Sequence, residues 1–110
     1  MTTLYLNVPK DKVNGEGKKS YADTLSSAVG SGYAIPMGQA MQCVPGSGTV
    51  LLCQATSQRA EGRIKALKMT GEVAGNGIVR YDVYMEDLTA VPYHPAPANF
   101  GRTGILVVTE

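Results

Sequence analysis

Residues 71–88 read GEVAGNGIVRYDVYMEDL, and the way this stretch turns back on itself decides the fold. Apolar and β-branched runs flank Gly75-Asn76-Gly77, the composition of a hairpin loop. A two-residue loop at Asn76-Gly77 sets Lys68 opposite Met85 and Thr70 opposite Val83, polar groups against apolar ones. A three-residue loop over 75–77 shifts the pairing by one. Val73 then faces Val79, Met69 faces Val83 and Leu67 faces Met85 on one side. Glu72–Arg80, Thr70–Asp82 and Lys68–Tyr84 share the other. Each matched pair contributes only about 0.2–1 kcal/mol, but a one-residue slip reverses every side chain at once. Gly77 also stands where a type I turn with a G1 bulge wants positive φ. The sequence therefore predicts the three-residue register.

The same register places Lys65 opposite Asp87 and Ile64 opposite Leu88, so the apolar face changes sides near residue 66. A ribbon whose buried face switches fits a bulged, coiled strand pair at the corner of a small barrel. Further strands are expected over 3–8, 39–44, 49–55 and 104–109, with the hairpin arms over 60–73 and 78–88. Ile105 to Val108 are apolar at consecutive positions, which predicts burial on both faces in a central strand or closed barrel. Ser20 as N-cap, Asp23 in the first turn and Ala22, Leu25 and Val29 at helical spacing predict one short helix over 21–29, stopped by Gly30-Ser31-Gly32. Residues 9–19 read as a charged loop, and the three prolines of 92–99 as a rigid connection. The expected fold class is mainly β (α+β): a small mixed or antiparallel β-barrel with one short helix, one domain over residues 1–110.

Composition sets bounds on function. Ten Lys plus Arg against nine Asp plus Glu leave a formal charge of +1, so global capture of nucleic acid or anionic membrane is not indicated. No signal peptide is visible and no apolar run approaches the roughly 20 residues of a membrane helix. The expectation is a cytoplasmic protein with no membrane partner. Cys43 and Cys53 flank VPGSGTVLL, and a hairpin there brings them within reach of a disulfide. The cytoplasmic setting favours buried free thiols instead. Neither belongs to a CxxC, and no cofactor motif is present.

Residues 14–20 (NGEGKKS) resemble a phosphate loop, but Lys12 occupies the place of its first glycine, so a solvated loop is the simpler reading. Gly46-Ser47-Gly48-Thr49 has neither lysine nor following helix and reads as a hairpin turn. His94, the single histidine, lies between Tyr93 and Pro95, where Glu86 or Asp87 could supply an acid. No nucleophile motif accompanies it, and no acid, base and nucleophile set can be assembled.

Val44-Pro45-Gly46-Ser47-Gly48-Thr49-Val50-Leu51-Leu52 followed by Ala60-Glu61-Gly62-Arg63-Ile64 resembles the PUA-like barrels, including the ASCH and EVE groups. The shared features are a glycine turn entering an apolar strand, then a strand carrying a small residue and glycine. The resemblance implies a pseudobarrel that binds RNA or a modified nucleobase in a cleft. It assigns no site residue, and the chain has no Trp from which to build an aromatic cage.

Arg59, Arg63, Lys65, Lys68 and Arg80 fall within the hairpin region, near Tyr81, Tyr84 and Tyr93. Cations beside tyrosines are the materials of phosphate contact and base stacking. Glu61, Glu72, Asp82, Glu86 and Asp87 balance them, and a charge-paired outer sheet face is the plain alternative. The candidate ligand-binding set is Arg63, Lys65, Lys68, Arg80, Tyr84 and His94, for RNA, DNA or a nucleotide-like ligand. The competing expectation is a structural protein that associates with itself through a strand edge or through Met37, Met41, Met69 and Met85.

Overall fold

The computed structural model describes residues 2–8, 20–43, 46, 48–54, 57–75, 77–92, 94–96 and 104–109. The elements run β1 (Thr2–Asn7), α1 (Tyr21–Ser27), β2 (Val29–Ala34), α2 (Met37–Ala40), β3 (Thr49–Gln54), β4 (Ser57–Val73), β5 (Val79–Ala90) and β6 (Ile105–Thr109). One six-stranded sheet carries them in the order β2-β5-β4-β3-β1-β6, curled into a half-barrel. The β1–β3 pair is parallel; the other pairs are antiparallel. The mainly β expectation holds. No helix among the described residues is long and apolar enough to cross a membrane.

The β4–β5 hairpin closes as the sequence predicts. Ala74 N–H donates to Ile78 O at 2.8 Å, Gly77 N–H to Ala74 O at 2.9 Å, and Gly77 has φ +84°. Val73 pairs with Val79. Asn76 lies outside the described residues. Beyond Val73 the register departs from expectation: Met69 pairs with Tyr81, Lys68 with Asp82 and Leu67 with Val83. A bulge around Gly71 (φ +88°) inserts two extra residues into β4. Thr70 fastens it, its hydroxyl donating to Arg80 O at 3.2 Å and accepting from Glu72 N–H at 3.1 Å. A slip of two residues keeps every side chain on its own face. The face assignment therefore survives although the partners change.

The face switch near residue 66 is a second bulge. Ile64 pairs with Met85 and Ala66 with Tyr84, which leaves Lys65 as the extra residue. Before it, Ala60, Gly62 and Ile64 are buried; after it, Leu67 packs on the core. Ile64 is thus not opposite Leu88, nor Lys65 opposite Asp87. A third irregularity, between Glu61 and Arg63, puts the extra residue on β5 at Asp87-Leu88. Three bulges in one ribbon supply the twist that curls the sheet.

Three segments differ from their sequence reading. The strand expected over 39–44 is not formed at its start: Gln39 and Ala40 belong to α2, where Pro36 fixes φ at −55° and its carbonyl accepts from Gln39 and Ala40 N–H. Cys43 therefore does not face Cys53 across a hairpin, and both are buried free thiols. Where a turn is expected over 46–49, Gly46 and Gly48 both bond β4, Gly46 N–H donating to Ile64 O at 2.8 Å and Gly48 O accepting from Ile64 N–H at 2.9 Å; Ser47 lies outside the described residues. The helix α1 stops at Ser27 with Ala28 in the left-handed conformation, and it buries Thr24 rather than Ala22 or Leu25. Gly30 belongs to β2, where a Cβ would come within 3.1 Å of the Tyr33 ring. Close packing, not helix termination, needs that glycine. Finally, β6 is an edge strand, not a central one.

The core fills the concave side. Leu4, Leu6, Val50, Leu52, Ile64, Val83, Met85 and Ile105 meet Tyr33 and Ile35 there. The convex side of β4–β5 is left to polar groups.

Candidate functional site

Alternation along β5 puts Arg80, Asp82, Tyr84 and Glu86 on the convex face, with Tyr81, Val83 and Met85 directed at the core. On β4 the Lys65 bulge aligns Arg63, Ala66 and Lys68 with that face. Tyr84 is half-buried between Ala66 on β4 and Val29 on β2. Lys68 sits opposite Asp82, yet its ammonium leans over the neighbouring Tyr84 ring, 4.9 Å from the centroid. The ring quadrupole attracts the cation there.

One residue repeat further along β5, Arg63 pairs across with Glu86. Its guanidinium bonds Asp87 Oδ2 at 2.6 Å and lies 3.7 Å from Glu86 Oε1. Asp87 reaches it because the β5 bulge holds this residue at φ +56°, a conformation Asp adopts more readily than most residues. Beside the bulge lies a shallow depression of about 370 Å3, lined by Thr49, Glu61, Gly62, Arg63, Asp87 and Thr89. Two hydroxyls, two carboxylates and a guanidinium give it donors and acceptors side by side.

The remaining candidates are placed differently. Arg80 donates from its guanidinium to Gly32 O at 2.6 Å, and Asp82 Oδ1 accepts from Gly32 N–H at 3.1 Å. The two side chains clasp the backbone of Gly32 from both sides, its N–H and its C=O, at the β2 bulge. Lys65 is exposed at the β4 bulge. His94 is exposed near the start of β4, where its carbonyl accepts from Gln58 N–H at 2.8 Å. That is roughly 30 Å along the strand from Lys68, at about 3.3 Å per residue. Tyr93 lies outside the described residues. The structure thus brings Arg63, Lys68 and Tyr84 onto one face, leaves Lys65 exposed at the bulge between Ile64 and Ala66, ties Arg80 to β2, and sets His94 apart. Glu86 and Asp87 serve Arg63.

Sequence reasoning missed the depression. Its one signal was Gly62 within a strand, a position that marks a close approach or a bulge. Burial pushes the Cys43 and Cys53 thiols up to about 11, and neither lies on this face. Among the described residues no three His, Cys, Asp or Glu side chains converge as a metal ion needs. No family model, no curated protein and no solved structure matches the chain, so the reading of this face stands on its geometry.

Proposed function

We propose that the convex face of the β4–β5 hairpin is a noncatalytic binding surface for nucleic acid or a nucleotide-like ligand. The observation that carries the reading is adjacency: the Lys68–Tyr84 pair stands one strand repeat from the Arg63–Asp87 depression. An aromatic ring with a cation above it offers a base a stacking surface and its phosphate a counter-charge. The depression lies at the lower end of the roughly 300–1,000 Å3 range of small-molecule sites. Its mixed donors and acceptors suit the edge of a heterocycle. In this reading the curled sheet is a PUA-like pseudobarrel, with Gly48 and Gly62 at the positions the resemblance emphasises.

The test is a titration of short RNA, short DNA and mononucleotides at two salt concentrations. Tyr84→Ala weakens binding by about 1–3 kcal/mol where the ring stacks on a base. Lys68→Gln flattens the salt dependence. Absence of wild-type binding at low salt overturns the proposal.

A further inference from the structure

We propose that the free edge of β6 pairs with the β6 edge of a second copy of this chain, antiparallel about Val107, joining two half-barrels into one continuous sheet. The backbone sets the geometry. Asn7 N–H donates to Gly104 O at 2.8 Å, and the ladder continues as Leu6↔Ile105, Leu4↔Val107 and Thr2↔Thr109. Hydrogen-bonded and non-hydrogen-bonded pairs alternate in an antiparallel ladder. The N–H and C=O groups of Ile105, Val107 and Thr109 therefore point away from β1. Among the described residues no strand takes them up.

The two edges of the sheet are treated differently by the sequence. On β2 the edge is broken by a bulge between Gly30 and Tyr33, and the backbone N–H and C=O of Gly32 are already held by Asp82 and Arg80. On β6 the side chains are Ile105-Leu106-Val107-Val108-Thr109, with no charge, proline, glycine or bulge to discourage pairing. Proteins blunt edges that must stay single. Here one edge is blunted, while among the described residues the other carries no strand and is touched by a side-chain hydrogen bond at its end alone, the Thr109 hydroxyl donating to Gln42 Oε1 at 2.9 Å.

A second copy fits that open edge by its own symmetry. Pairing about Val107 sets Val107 against its counterpart, Ile105 against Thr109 of the second copy, and Leu106 against Val108 of the second copy. Leu106 and Val108 lie half-buried on the convex face beside Tyr5, which neighbours Leu51, so the apolar strip continues across the junction. No like charges meet in this register. A net charge of +1 leaves little long-range repulsion between copies, and the edge offers nothing to a charged partner.

Sedimentation equilibrium of the full chain over a wide concentration range tests the pairing. The wild type is expected to rise from the chain mass of 11.6 kDa toward twice that value. Val107→Pro removes an N–H that the β1 ladder does not use, so the strand still forms and circular dichroism shows a folded chain, with some stability lost where the Val107 side chain packs on the core, while the mass stays at one chain. Val108→Asp and Leu106→Lys are each monomeric alone. Mixed, they recover the dimer, because the new carboxylate at 108 faces the new ammonium at 106 across the junction. A wild type of one chain mass at every concentration overturns the proposal and leaves the edge to another partner. A dimer that survives Val107→Pro, or two folded charge variants that do not recover it on mixing, overturns it as well.

Discussion

Gly62→Ala probes the bulge that shapes both the hairpin and its depression. A Cβ at this position lies 2.8 Å from Glu86 O and 2.8 Å from Leu88 Cδ2. Carbon contacts are comfortable at about 3.5–4.0 Å, so both neighbours must retreat. Leu88 is a half-buried side chain and can rotate. The Glu86 carbonyl cannot, because it belongs to the backbone beside the left-handed Asp87. Opening the bulge to admit the methyl is an overpacking event of about 1–3 kcal/mol. With a urea slope of about 1–3 kcal/mol per molar, the midpoint falls by roughly 1 M with the slope unchanged. Leu88→Ala in the same background separates the two contacts. Its double-mutant cycle with Gly62→Ala gives a coupling energy of about 0.5 kcal/mol or more, while the clash with the Glu86 carbonyl remains. Equilibrium urea unfolding followed by circular dichroism reads all four proteins. A wild-type midpoint for Gly62→Ala refutes the close approach.

The turn makes its own prediction: Gly77→Ala, at φ +84°, loses about 1–2 kcal/mol in urea unfolding, whereas Gly75→Ala two residues earlier has nothing within 4 Å and loses none. Equal midpoints for the two contradict the three-residue turn. The buried thiols predict a pH dependence. Cys43 and Cys53 hold their protons up to about 11, while in the unfolded chain thiols ionise near 8.5. Between those values the folded state binds more protons, so stability falls as pH rises through the window. Urea midpoints at neutral and alkaline pH show the fall, and replacing both cysteines with alanine reduces it.

The parts of the fold readable from residues were those governed by parity. Alternation of apolar and polar groups assigned the two faces of the hairpin, and a closing glycine fixed its loop. The two-residue insertion at Gly71 left no mark, because it changes partners without changing faces. Local propensity misled where tertiary contacts prevailed. Gly30 and Gly32 look like a helix stop, yet one packs under the Tyr33 ring and the other is clasped by Arg80 and Asp82. The run Ile105–Val108 looks central because both its faces are apolar, but one of them covers the core and the other lies along the convex surface beside Tyr5. At the candidate site, charge identity was visible and charge commitment was not. Which carboxylate holds Arg63 depends on the φ of Asp87, and no sequence pattern encodes that.

Those commitments bear on what kind of binding the convex face can support. Of the cations near Tyr84, Arg63 is engaged by Asp87 and Glu86, and Arg80 by the Gly32 carbonyl. Lys65 and Lys68 have no carboxylate within ion-pair distance among the described residues. Two phosphate contacts give a slope of log K against log salt of about −1.4 for a single strand and −1.8 for a duplex. A threefold rise in salt then weakens binding by only about five- to sevenfold. A steeper slope requires a phosphate to displace Asp87 from Arg63, and Asp87→Asn separates the cases. If Asp87 merely competes for the guanidinium, the asparagine variant binds more tightly and with a steeper slope. If Asp87 holds Arg63 in position for the ligand, the same variant binds more weakly with the slope unchanged. The side chain that neutralises the site thus also reports whether charge or shape recognises the ligand.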